Sequence, residues 1–167
     1  MRLRSLCHAK VAADPHPVMY GMNSRLVKKD GVLQEEVWKL DGMYGEAIQK
    51  IIFWLEKAET VAENEAQREV IRLLIDFYRT GDLKTFDTYS IAWLKDTDSK
   101  VDFVNGFIES YGDPLGMKAS WESIVNFKDE EATHRTEIIS QHAQWFEDHS
   151  PVSPSFKKEV VRGVSAK

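Results

Sequence analysis

The spacing of apolar residues changes twice along this chain, and that change constrains the fold more than any single motif. From Tyr44 to about Ala62, the residues Ile48, Ile51, Ile52, Leu55, Ala58 and Ala62 recur three or four apart, which predicts an amphipathic helix. A second helix is predicted from about Glu65 to Arg79, with Val70, Ile71, Leu74, Ile75 and Tyr78 as its stripe and Gly81 as its C-terminal cap. A third, shorter one runs from about Leu83 to Leu94 through Phe86, Tyr89 and Trp93. Before these helices, Asp30-Gly31 separates two β-prone runs, a strong signal for a hairpin with a type I′ turn. After them, two runs ending at Tyr111 and Phe127 alternate with a period of two. Helices set among paired strands predict an α+β fold: a small curved β-sheet or partial barrel with α-helices around it.

The first of the alternating runs reads "GFIESYGDPLG", Gly106 to Gly116. As a strand it places Phe107, Glu109 and Tyr111 on one face and Ile108 and Ser110 on the other. An acid and a phenol side by side are what an edge strand with one wet face would show. Gly112, Asp113, Pro114 and Gly116 stop the run, and Ala119 to Phe127 forms the neighbouring strand, with Trp121, Ser123, Val125 and Phe127 on one face. Asp129, Glu130 and Glu131 then open a fourth helix that continues through Ile139, Ala143 and Phe146 to about Asp148. Residues 1–17, with Pro15 and Pro17 around His16, read as an irregular arm, and residues 18–167 as a single α+β domain. The basic stretch from Phe156 to Lys167 has no closing signal, so the chain reads as cut from something longer.

Composition excludes several classes. At 167 residues, with 43% hydrophobic and 29% charged residues, the chain has enough apolar content for one packed core without staples. Its apolar runs are too short for a membrane span. A net charge of −5 with both signs mixed lacks the basic stripe that phosphate neutralisation needs, so no nucleic-acid partner is expected. The single Cys7 excludes an internal disulfide and fits a reducing compartment, and Met1 to Arg4 leads into no apolar core of a signal peptide. A cytoplasmic setting is the expectation.

The common catalytic motifs are missing. None of the five histidines is followed by glutamate, so the His-Glu-x-x-His helix of zinc hydrolases is not found. Glu131 and His134 have the spacing of a di-iron helix, but the second pair that such a site needs does not exist, so a solvated face is the expectation there and at His142 and His149. Phosphate-cradling glycine loops and a serine nucleophile elbow are also lacking. The residues alone therefore assign no metal to this chain.

Several separated segments nevertheless resemble one family. "VNGFIESYGDPLGMKASWESIVNF", "YGMNSRLVKKDGVLQEEVWKLDGMYGEAI", "YRTGDLKTFDTYSIAWLKD" and "HAQWFEDHSP" look like the dipeptidyl peptidase III enzymes, in their bacterial, Bacteroides-type branch. The likeness covers about residues 14–167 in the right order. It implies a two-lobed zinc peptidase in which a helical lobe binds the metal across a wide cleft from a lobe with a β-barrel core. This chain is similar to part of the second lobe. The family's His-Glu-x-x-x-His helix, with glycine before the second histidine, and its glutamate ligand are expected beyond Lys167. By this resemblance zinc belongs to the full-length parent, no cofactor belongs to this chain, and the chain alone is inactive. Its implied partners are an oligopeptide substrate and the missing zinc-binding lobe.

The resemblance also implies roles. Glu109 would take the free ammonium of the substrate, Ser110 would touch peptide through its backbone, and Tyr111 would hydrogen-bond the oxygen of the tetrahedral intermediate. The implied function is the substrate-binding portion of a zinc-dependent dipeptidyl peptidase, which removes dipeptides from the N-termini of short peptides. Gly112 departs from the family, where many members carry a basic residue, and this leaves the turn after Tyr111 more flexible. Trp121 and Asn126 could line the cleft, but packing into the barrel interior is the expectation. A non-catalytic peptide-binding module and a structural α+β domain remain as alternatives.

Overall fold

The computed structural model describes residues 21–116 and 118–161. The arm expected over residues 1–17, with Cys7, lies outside the described residues. The chain divides into two compact units. One runs up to Ser99 and resumes from Val104 to Ile124; the other comprises Lys100 to Phe103 and the chain from Val125 onward.

The first unit opens with a 3-10 turn, Gly21–Asn23, and the hairpin of β1 (Ser24–Lys29) and β2 (Val32–Val37). The strands are antiparallel with Lys29 opposite Val32, so Asp30 and Gly31 alone make the turn. Their φ values of 50° and 81° are the left-handed pair that a type I′ turn requires. Trp38 closes the hairpin: its backbone N–H donates to Asn23 O at 2.9 Å and its indole N–H to Met22 O at 3.0 Å.

Three helices follow: α1 (Gly45–Glu59), α2 (Glu65–Thr80) and α3 (Leu83–Lys95). The middle one packs against both others. It is capped by Asn64, whose side chain accepts from Gln67 N–H, and it ends at Gly81 with φ 70°. The predicted stripes face inward, with Ile48, Ile52 and Leu55 of α1 buried against Val70, Ile71, Leu74, Ile75, Phe77 and Tyr78 of α2. Burying each such side chain contributes about 1.5–3 kcal/mol, so this three-helix layer holds most of the apolar stabilisation of the unit. From α3, Tyr89 is buried while Leu94 stays 63% exposed. The link between β2 and α1 is tied to α2 by Leu40 N–H, which donates to Tyr78 O at 3.0 Å.

Two further strands, β3 (Val101–Glu109) and β4 (Ser120–Phe127), form their own two-stranded sheet. Lys128 N–H, just past β4, donates to Lys100 O, just before β3, which makes the pair antiparallel. The α+β class therefore holds, with the strands among the described residues shared between two separate pairs.

In the second unit the single helix expected from Asp129 to Asp148 is two: α4 (Glu130–Gln141) and α5 (Ala143–His149). The break falls at His142, whose φ of −100° and ψ of 11° leave the helical region. The apolar spacing continues across this point, but α4 buries none of its residues, and the hydroxyls of Thr133 and Thr136 bond back to carbonyls of their own turn. Without a packed face, nothing holds the two segments in one straight helix. The chain then returns along α5, where Lys158 N–H donates to Glu147 Oε1 at 2.7 Å and Val161 N–H to Gln144 Oε1 at 2.8 Å. Among the described residues no helix is long and apolar enough to cross a membrane.

Candidate functional site

The residues singled out in "GFIESYGDPLG" sit where β3 stops. Phe107 anchors this end of the strand, its ring stacked on Tyr44 with centroids 5.4 Å apart and tilted against Trp38 at 6.4 Å. Glu109 is the last residue of the strand and is half-buried. Tyr111 is not on the strand, as the alternation predicts, but in the turn after it. Asp113 is the reason. Its backbone N–H donates to Ser110 O at 3.0 Å, and its carboxylate accepts from Leu115 N–H at 3.2 Å and Lys118 N–H at 2.9 Å. These bonds fold the chain back on itself instead of extending the ladder.

The turn still keeps the acid and the phenol together. The Tyr111 phenol is held above its ordinary value, first by desolvation, then by the charges of Glu109 and Glu122 and by a hydrogen bond to Glu109. A phenol beside carboxylates resists becoming a second anion, so it stays a proton donor. Its ring is 78% exposed and therefore open to a ligand. Ser110 is half-buried and its hydroxyl faces the loop, since a β-carbon on Gly116 would stand 3.9 Å from it. At Gly112 a β-carbon would meet Ser120 Oγ at 3.3 Å, so a larger residue fits only if that hydroxyl gives way slightly.

Behind this end lies a polar cluster that the sequence reading missed. Tyr78, 1% exposed on α2, donates its hydroxyl to Asn105 Oδ1 on β3 at 2.5 Å. The Tyr78 hydroxyl oxygen in turn accepts the indole N–H of Trp121 on β4 at 2.9 Å. Trp121, expected inside a barrel, is instead 40% exposed, and Asn126 is exposed as well. A two-stranded sheet has too little interior to bury both faces, which is why neither residue is enclosed. Desolvation pushes the Tyr78 phenol far above its ordinary value, so it remains a donor throughout the physiological range. The partners lie 27 and 43 residues from Tyr78, beyond any local pattern. The one available signal was Asn105, a lone amide within the apolar run from Val104 to Ile108.

On the α3 side of β3 is an open recess of about 210 Å³, walled by Phe86, Tyr89, Trp93, Leu94, Val104 and Ile108. Ser90 and Asn105 also line it, but the wall is mostly apolar and offers packing rather than chemistry. Among the described residues no group of three or more His, Cys, Asp or Glu could hold a metal ion. Glu131 pairs with Arg135, and His134 Nδ1 lies 3.6 Å from Glu137. His149 stacks on Trp145 at 4.3 Å and its Nδ1 bonds Trp145 O at 2.8 Å. With these partners, the side chains do not form a zinc site. The described residues at the end of β3 present a carboxylate, an exposed phenol and the edge of a two-stranded sheet.

This arrangement has relatives. The chain is 30% identical over 118 residues to dipeptidyl peptidase 3 of Dictyostelium discoideum, a match covering 71% of this chain and 17% of that protein. It is 28% identical over 118 residues to dipeptidyl peptidase 3 of Rattus norvegicus, covering 71% and 16%. The chain thus spans less than a fifth of the length of these curated relatives. The solved structure of DPP III from Caldithrix abyssi superposes with a TM-score of 0.71 at 19% identity, covering 93% of this chain and 29% of that one. Residues 16–163, which carry both hairpins and all the helices described above, match the profile of Peptidase family M49, and the chain belongs to that family.

Proposed function

We propose that this chain supplies the peptide-binding strand of an M49 dipeptidyl peptidase, an enzyme that removes dipeptides from the N-termini of short peptides. The observation that carries the reading is the position of Glu109 as the last residue of β3, an edge strand of its sheet among the described residues, with the exposed Tyr111 two residues further on in the turn. An extended peptide lies along that edge, where main-chain hydrogen bonds give affinity without reading side chains. Glu109 takes the terminal ammonium in a charge-assisted bond. Tyr111, kept protonated by its surroundings, donates to the oxygen on which negative charge develops as the peptide bond is attacked. The backbone of Ser110 lies between them and adds a contact to the peptide. An acid at a fixed distance from an oxyanion donor counts residues from the N-terminus, which is what an exopeptidase must do.

Zinc in the parent enzyme is held, on this reading, by residues outside this chain, which alone is inactive. A partner lobe faces the strand, and a reducing, cytoplasmic setting fits the single Cys7. Calorimetric titration with a tripeptide and its N-acetylated form tests the reading. The free amine binds about tenfold more tightly, and Glu109→Gln abolishes the difference. Equal affinity of the unaltered chain for both peptides would overturn it.

A further inference from the structure

We infer that Tyr78 is a positioning residue for the Glu109–Tyr111 pair, its hydroxyl fixing both strands of the hairpin that presents them; the inference rests on the peptide-binding reading above. A two-stranded sheet is marginal by itself in water, so what orients it must come from outside its own ladder. The aromatic contact of Phe107 with Tyr44 and Trp38 supplies attraction but little direction, because stacked rings can slide at small cost. Hydrogen bonds to Tyr78 Oη are directional. One fixes Asn105, two pleats before Glu109, at 2.5 Å, and the other fixes Trp121 at the start of β4 at 2.9 Å.

The oxygen that accepts from one strand is thus the oxygen that donates to the other, and a shift of either strand along its axis costs a bond in a desolvated place. The ring itself cannot follow such a shift. It is buried in the last turn of α2, and the carbonyl of the same residue holds Leu40 N–H at 3.0 Å. Glu109 therefore stands at a set distance, about 13 Å along the strand, from a point fixed in the helical layer.

The test uses Tyr78→Phe, which keeps the packed ring and deletes the hydroxyl, and Trp121→Phe, which leaves the Tyr78–Asn105 bond in place. Two quantities are read: amide hydrogen exchange at residues 106–109, and the affinity ratio between a free tripeptide and its N-acetylated form. Tyr78→Phe is expected to retain helical circular dichroism, to raise exchange about tenfold and to reduce the affinity ratio severalfold, with Trp121→Phe following in the same direction by less. Simple loss of stability would weaken both peptides alike and leave the ratio untouched.

Unchanged exchange in Tyr78→Phe overturns the inference. So does an unchanged ratio in Tyr78→Phe when Glu109→Gln has lost it. If the unaltered chain binds both peptides equally, the peptide-binding reading fails and the positioning role with it, while raised exchange still identifies the tether as real. Should Tyr78→Phe fail to fold, Trp121→Phe is judged by the same two criteria.

Discussion

Gly81 lies so close beneath Val37 that a β-carbon on it would stand 2.7 Å from Val37 Cγ1. The same atom would be 3.3 Å from Trp38 O, and the backbone there has φ 70°. Gly81→Ala therefore meets both steric crowding and a left-handed conformation, and is expected to cost roughly 2 kcal/mol or more. Gly81→Asn tolerates the dihedral but keeps the clash, so it recovers only a small part of that loss. Urea denaturation midpoints of the two variants separate the two causes.

Glu109→Gln should bring the Tyr111 phenol back toward its ordinary value, since it removes one of the two carboxylate charges that raise it. Desolvation and Glu122 remain, so the return is partial. For an acid whose folded value is raised, any contribution to stability is present below the unfolded value of about 10 and is lost as pH rises through the folded value. An ultraviolet difference titration, with Tyr111→Phe to identify the signal, measures the shift. A phenol that titrates identically in both proteins would mean that the two side chains do not interact in solution.

Burial in the helical layer predicts a sharp contrast between two leucines. Leu74, with 0% exposure on α2, should cost about 2–5 kcal/mol as Leu74→Ala. Leu94, 63% exposed on α3, should change stability by no more than about 0.5 kcal/mol as Leu94→Ala. Thermal denaturation followed by circular dichroism decides both.

In an M49 peptidase carrying this segment, Tyr111→Phe is expected to lower kcat by roughly 10²-fold with the fold intact, the scale of one lost oxyanion donor. Glu109→Ala should instead impair both KM and kcat, because a peptide without its ammonium anchor is poorly registered. Steady-state kinetics on a dipeptidyl naphthylamide distinguishes the two roles. An unchanged kcat in Tyr111→Phe would reduce the phenol to a wall of the cleft.

What was legible in the sequence was local. Asp30 and Gly31 announce their turn because a two-residue link between antiparallel strands needs two left-handed residues, and few others accept that. Gly81 announces the end of α2 for a related reason. The stripe from Val70 to Tyr78 was readable because a helix buries residues at its own period. The break at His142 was not, since the spacing of Ile139, Ala143 and Phe146 continues through it and no glycine or proline marks it. Alternation alone puts Tyr111 on the strand, because it cannot reveal that Asp113 ties the following turn. The Tyr78 cluster joins residues from three elements, and nothing in a one-dimensional pattern joins them.

Tyr78 also bears on which changes of chain length this fold admits. Leu40 is measured from its carbonyl and the β3–β4 hairpin from its hydroxyl, so two stretches of chain share one reference residue in the last turn of α2. One residue inserted within that turn would rotate the side chain by about 100° and withdraw both contacts together. An insertion between Asp30 and Gly31, both exposed, would lengthen a loop and disturb neither. Length differences among sequences that share this architecture should therefore gather at the hairpin tips and avoid the end of α2.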